Sequence, residues 1–355
     1  MEPLGLGMIG LHHQHPRWYF PLWANLPEYR PLAISEADES FLVSERAFFK
    51  LDAVADYRRI LDRKDIDVVA IWLPHSRMPQ AVADAAAAGK HVIVEKPCAA
   101  DVVGAAKIAE VARRFPRIRI SAPYCWRTHP VSAEIVSAVR KGLLGEITAV
   151  EGRLNAGGAH RYIRDHAEWM LKSAEGGGPM WNLGVHWIDY FRWLTGKEVL
   201  SVSGATTGPV GSPPRDIEDA AQAVLKFHGG AIGILDISYA LQDSYPDKRD
   251  IYVAIRGTLG AIAWKPNWEG TSNELLLVSE HPSVGSQKSR VLPIACKQVP
   301  GYCGQMCWEW LRDFAAAVRE ERPPLVSTDD MLAAVKVADA FYRSVKSGRA
   351  ETPNR

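Results

Sequence analysis

Apolar positions in the first third of the chain fall into two alternating rhythms. Short aliphatic and β-branched runs occupy residues 4–10 (LGLGMIG), 29–35, 67–73, 91–95 and 117–123, each the length of a buried strand. Between them lie stretches with helical spacing: one beginning near Pro16, then 56–65, 79–90 and 99–115. The stretch at 79–90, PQAVADAAAAGK, stops at Gly89, a residue suited to a helix end. Strand–helix alternation predicts a parallel, doubly wound sheet, so residues 1–125 are expected to form a Rossmann-type α/β domain.

Beyond about residue 126 the rhythm changes. A helix is expected over 131–142, then strands over 146–155, 199–207, 221–229, 231–240, 250–257 and 260–266. Their spacing and alternation predict an α+β domain over 126–355 built on a large, mostly antiparallel open sheet. Residues 268–305, rich in Ser, Gly and Pro, show no clear period. Two amphipathic helices, 305–321 and 328–347, close the chain. The second has Ser327 and Asp330 placed as a capping box, and is a candidate to pack back on the first domain.

Composition narrows the class. With 355 residues, 47% apolar and 23% charged, the chain has room for about two cores and the balance of a globular enzyme. A formal charge of +1 offers no nucleic-acid footprint and no basic membrane face. No apolar run approaches the about 18 residues of a spanning helix. The opening MEPLGLGMIG lacks a basic leader and reads as a strand, not a signal peptide. Five scattered cysteines make neither a disulfide framework nor a zinc set, which fits reduced thiols in a cytoplasmic protein with no metal. Several tryptophans (Trp72, Trp126, Trp169, Trp181, Trp187) lie near candidate site residues, with sugar or nicotinamide stacking and core filling as equal readings.

The letters of a dinucleotide fingerprint, G-x-G-x-x-G, appear at 5–10 but inside the first strand. In register, the phosphate loop is Gly10-Leu11-His12-His13-Gln14-His15, with the first glycine alone present and His12 and His15 in the other two places. Imidazole donors there could bond phosphates directly, beside a helix N-terminus that favours an anion. A metal cluster of His12, His13 and His15 is the weaker reading, because neighbouring residues point in different directions. Glu36, ending the second strand, is placed to accept ribose hydroxyls and repel a 2′-phosphate, favouring NAD with NADP still possible. A solvated turn is its alternative role.

Two further stretches carry chemistry. Glu95-Lys96-Pro97 follows the fourth strand at the sheet edge where open α/β folds hold a cofactor, and Pro97 restricts Lys96 to extended geometry. Glycines 176–178 precede Asn182, His186 and Asp189, whose spacings of four and three put them on one helix face. A lysine and a near-neutral histidine suit acid–base oxidoreductase chemistry. Upstream, Arg164, His166 and Trp169 belong to a polar–aromatic stretch that reads as a substrate-lining loop or a solvated surface segment.

On Gly89-Lys90-His91-Val92, Glu95-Lys96-Pro97 and GGGPMWNLGVHWID (176–189), the chain resembles the GFO/IDH/MocA family of glucose–fructose oxidoreductases and inositol dehydrogenases. The resemblance implies hydride transfer between nicotinamide and a secondary hydroxyl or ketone of a sugar, inositol or related polyol. It implies that Lys96 polarises the reacting oxygen, His186 relays the proton, and Asn182, where the family usually has Asp, positions substrate or histidine. It places Leu73, Pro74 and His75 on the nicotinamide-side loop. Arg127 falls where an arginine facing cofactor or substrate is expected, with a structural ion pair as the alternative, and Trp126 lies beside it. The open sheet face implies a homodimer or homotetramer. Redox-assisted glycoside cleavage with recycled NAD, or a non-catalytic cofactor- and sugar-sensing role, are the alternatives.

Overall fold

In this computed structural model residues 2–211, 213–268 and 270–354 are described. The chain divides into two units. The first comprises the chain up to Tyr124 together with Arg161–Gly177 and Val299–Val335, and the second Cys125–His160, Gly178–Gln298 and the chain from Lys336.

The first unit is built on strands β1 (Leu4–Ile9), β2 (Tyr29–Ser35), β3 (Asp52–Val54), β4 (Val68–Ile71), β5 (His91–Val94) and β6 (Ile120–Ser121). They pair in parallel, in the order β3-β2-β1-β4-β5-β6. The order reverses between β1 and β4, which opens a crevice at their carboxyl ends, the usual ligand position in such sheets. Every residue of β4 is buried, and Leu6 and Met8 of β1 are fully so, as expected of strands covered on both faces.

The crossover helices are α1 (Gln14–Asn25), α2 (Glu39–Phe49), α3 (Arg58–Leu61), α4 (Met78–Ala87) and α5 (Val102–Arg114). Two expectations change here. The helix expected over 56–65 shrinks to the single turn α3, and α2 and β3 occupy a stretch the apolar pattern left unassigned. Only Leu42, Glu45 and Phe49 of α2 are buried, so its stripe is too sparse to stand out. Its cap is nevertheless local: Asp38 accepts from the amides of Ser40 and Phe41 at 3.0 and 3.1 Å. The expected capping box forms, with Asp330 N donating to Ser327 Oγ at 3.0 Å and Ser327 N to Asp330 Oδ2 at 3.1 Å.

The second unit carries β7 (Ile147–Gly157), β8 (Val199–Thr206), β9 (Ala220–Phe227), β10 (Ile232–Leu241), β11 (Arg249–Gly257), β12 (Gly260–Trp264), β13 (Ser272–Ser279) and β14 (Ser289–Ala295). They form a single sheet in the order β14-β13-β12-β11-β7-β10-β9-β8, antiparallel except for the β7–β10 pair. Both β13 and β14 fall in the stretch without a clear sequence period. One face is buried through Leu154, Leu225, Leu235, Ile237 and Val253. At Gly152 a Cβ would stand 2.9 Å from the rings of Trp187 and Phe191, so β7 lies close against the helix Val185–Thr195. The opposite face carries an Arg153 bridge to Asp236 (3.2 Å) and Asp250 (3.1 Å), with Val224, Ile232 and Ile234 exposed nearby. Among the described residues no helix is long and apolar enough to cross a membrane.

Candidate cofactor and active site

Gly10 follows β1 with φ of +81°, and a Cβ there would stand 2.9 Å from the backbone nitrogen and side chain of Leu73. The exits of β1 and β4 are thus too close for any side chain at this first glycine position. The next amides, Leu11 and His12, donate to Glu36 Oε2 at 2.7 and 3.3 Å, and Asp38 N donates to Oε1 at 3.2 Å. Glu36 is therefore a buried carboxylate tying the phosphate loop to the end of β2, not a solvated turn residue.

His13 caps α1, its Nδ1 accepting from His15 N at 3.0 Å. Burial, followed by the neighbouring His15, pushes its pKa well below the usual histidine range, so the ring is neutral. A neutral imidazole that accepts at Nδ1 carries its proton on Nε2. That nitrogen is buried and has no partner among the described residues. The loop thus presents a helix N-terminus and a buried N–H donor where two glycines are missing, a combination that fits the diphosphate of a dinucleotide.

Beyond the loop, Glu95 Oε2 accepts from His15 Nδ1 at 2.9 Å and from Trp72 Nε1 at 3.1 Å. The other oxygen, Oε1, lies 3.6 Å from Lys96 Nζ. Burial opposes ionisation of Glu95, but His15 and Lys96 outweigh it and hold the carboxyl well below the usual range. His13, His15 and Glu95 offer donor atoms within 4.8 Å of one another. His15 donates to Glu95 through Nδ1, and His13, accepting at Nδ1, carries its proton on Nε2. The peptide bond from Lys96 to Pro97 is cis.

Residues 161–177 lie in this first unit, across the carboxyl edge of its sheet. Trp169 Nε1 donates to the carbonyl of His12 at 2.8 Å, and its ring meets His75 edge-on at 4.7 Å. Ser76 Oγ donates to Glu175 Oε2 at 2.6 Å. Gly176 has φ of +67°, and a Cβ there would stand 2.9 Å from Ala100 Cα and 3.2 Å from His75 Nδ1. His75 follows Leu73 and Pro74 on the loop after β4. Fully buried, it is pushed down to about 3 by loss of solvent, and is neutral. Arg164 and His166 line a cavity of about 190 Å³ together with Leu11, His13, Gln14 and Arg17. Arg164, His166 and Trp169, expected as substrate-lining residues of the second domain, therefore stand beside the phosphate loop.

The second unit holds Trp126, Arg127, Asn182 and His186. The expected regular helix through Asn182 is corrected: Met180–Gly184 winds as a π-turn before Val185–Thr195 continues as α-helix. The step from Asn182 to His186 thus crosses a change of pitch, a feature frequent at functional sites. Asp189 is taken by Arg127, whose Nε and Nη2 donate to Oδ2 and Oδ1 at 2.9 and 2.5 Å, both side chains buried. The ion pair anticipated as an alternative describes Arg127. Trp126 is buried against Trp187 (4.8 Å between ring centres) and Trp264 (5.7 Å), a core position.

Glu218 is a further buried acid of the second unit. Tyr342 donates to it at 2.6 Å and stacks on Trp181 at 5.7 Å, and burial pushes the Glu218 carboxyl up. In sequence, Glu218-Asp219 is one acidic pair before a strand and carries no signal of burial.

Residues 4–120 match the model of an oxidoreductase family with an NAD-binding Rossmann fold, and residues 133–263 that of the GFO/IDH/MocA C-terminal domain. An uncharacterised oxidoreductase of Rhizobium meliloti is 28% identical, covering 83% of each chain. The scyllo-inositol 2-dehydrogenase (NAD(+)) of Bacillus subtilis is 26% identical over 82% of this chain and 79% of its own. A levoglucosan dehydrogenase solved with NADH and levoglucosan superposes with a TM-score of 0.83, at 21% identity, over 99% of this chain and all of the other.

Proposed function

Since the chain belongs to the GFO/IDH/MocA family and its first unit is an NAD-binding Rossmann domain, we propose that it is a dehydrogenase acting on a secondary hydroxyl of a sugar, inositol or related polyol. The observation that carries the reading is Lys96, buried at the exit of β5 with an ionised carboxylate 3.6 Å from its ammonium. A cation so held donates hydrogen bonds to the reacting oxygen and stabilises the negative charge that grows there as hydride leaves the carbon. Bound NAD supplies the hydride acceptor. The N-terminus of α1 and the His13 Nε2–H bind the diphosphate, and Glu36 sets the loop and disfavours a 2′-phosphate. His186, on the second unit, passes the hydroxyl proton, and Asn182 orients substrate or ring through its amide. The activities named for the inositol and levoglucosan relatives support the substrate class. A screen of sugars, inositols and anhydrosugars with NAD and NADP, followed at the reduced-nicotinamide absorbance band, tests it. Absence of reduction with every polyol, in protein that binds NAD, would overturn it.

A homo-oligomer is part of the same proposal. Val224 and Ile234 pair across β9 and β10 and are exposed with Ile232, an apolar patch a second copy would cover. Light scattering of wild type and Ile234→Asp tests this, with a monomeric wild type as the contrary result.

A further inference from the structure

We propose that His15 is a positioning residue for Lys96, acting through Glu95, and that this arrangement takes the place of the third glycine of the phosphate loop. The inference rests on the role of Lys96 proposed above. A glycine at this place serves close helix–strand packing and contributes no side chain. Here the ring is enclosed by Tyr302 (4.5 Å between centres), His13 (4.4 Å), Tyr19 (5.8 Å) and Trp18 (5.9 Å). Its Nδ1 lies 2.9 Å from the Glu95 carboxylate. An ionised carboxylate only accepts, so Nδ1 is the donor.

The two oxygens of Glu95 are divided. Oε2 holds two donors, His15 Nδ1 and Trp72 Nε1, both on rigid rings. They fix the carboxylate plane and leave Oε1 facing Lys96 Nζ at 3.6 Å, beyond hydrogen-bond range. At that distance Glu95 attracts the ammonium without drawing its N–H donors into a short bond. His75 lies close enough to both groups to feel their charges, and being neutral it adds none. With the His15 donor gone, one of two anchors is lost. The carboxylate then turns and closes on Nζ, taking donors away from the reacting oxygen.

The test reads Lys96 directly, without substrate. In full-length protein carrying 13C-lysine, the Lys96 Cε resonance is assigned by its loss in Lys96→Arg. His15→Leu is expected to move that resonance more than any other lysine signal. His15→Asn, whose Nδ2 reproduces the donor, is expected to return it. In a Glu95→Gln background His15→Leu should move it no further. If His15→Leu melts too low for spectroscopy, His15→Gly, which lacks the donor but not the space, serves the same comparison. A resonance that stays in place, or one that still moves in the Glu95→Gln background, overturns the proposal. Turnover on a polyol found by the screen should fall about tenfold in His15→Leu, the scale of one hydrogen bond, and recover in His15→Asn with the Kd for NAD unchanged in both. Parallel loss of NAD binding would make His15 a cofactor-loop residue and also overturn it. If the resonance behaves as expected while Lys96→Ala turns over normally, the pairing stands and the catalytic reading of Lys96 alone fails.

Discussion

The indole N–H of Trp169 donates to the backbone carbonyl of His12 at 2.8 Å, joining residues 157 positions apart on the carboxyl edge of the first sheet. Loss of that bond loosens residues 161–177 from the phosphate loop. Trp169→Phe, which keeps the ring against His75, is expected to weaken NAD binding about 3- to 10-fold, the range of one neutral hydrogen bond. Titration by protein fluorescence measures it, and an unchanged Kd would mean the segment does not support the loop.

Glu36 joins loop and strand through three backbone amides. Glu36→Ala strands those donors and removes the charge proposed to disfavour a 2′-phosphate. The expected outcome is about 10-fold weaker NAD binding with a narrower NAD-over-NADP preference, read by titrating both cofactors. Equal weakening for the two would assign Glu36 to the loop alone.

Lys96→Ala should lower kcat by about 10²-fold or more, the scale of a positioned acid–base group. Because Lys96 is buried beside Glu95, its removal also withdraws a compensating cation, and the melting temperature should fall. Steady-state rates and a thermal melt on the same preparation separate the effects. Near-normal turnover would take Lys96 out of the mechanism.

Asp189 and Arg127 form a bidentate pair with both side chains buried. Asp189→Ala takes the bidentate carboxylate from a buried guanidinium and is expected to cost about 3–5 kcal/mol in denaturant unfolding. The double variant Arg127→Met/Asp189→Leu should regain most of it. Additive losses in the double variant would show that the pair is not the source of the cost.

His75 sets a pH dependence. Its pKa is about 3 in the folded chain against 6.5 for the ordinary group, because burial excludes the charged form. As pH falls below about 6.5 the unfolded chain takes up this proton and the folded one does not, so stability is lost down to about pH 3. His129, buried in the second unit, is likewise pushed to about 3 and adds to the acid slope. Between pH 6.5 and 5 the His75 share is about 2 kcal/mol. His75→Asn should reduce the acid-side loss by that amount in denaturant midpoints at the two pH values. An identical slope would mean that His75 is charged or solvent-accessible in solution.

Much of this protein was legible from residues close together in the chain. The strand–helix alternation of 1–125, the Gly10 turn after β1, the Lys96 position after β5 and the Ser327–Asp330 cap all depend on local periodicity and short-range hydrogen bonding. Such signals survive without knowledge of what packs against them. The helix α2 escaped because so few of its residues are buried, and β13 and β14 because their polar and turn-forming neighbours mask the alternation.

Only the tertiary structure decided the partners. Nothing near Trp169 in sequence points to His12, nor near Glu175 to Ser76, since those contacts close very long loops. Whether Asp189 would serve a histidine or an arginine turned on where Arg127 came to rest, 62 positions away. His15 reads in sequence as a damaged glycine, and packing made it a donor to Glu95, 80 positions on. Local rhythm specifies which residues form a strand or a helix. Which buried charge meets which donor is settled when distant segments share one low-dielectric space, where no polar group can remain unpaired without cost.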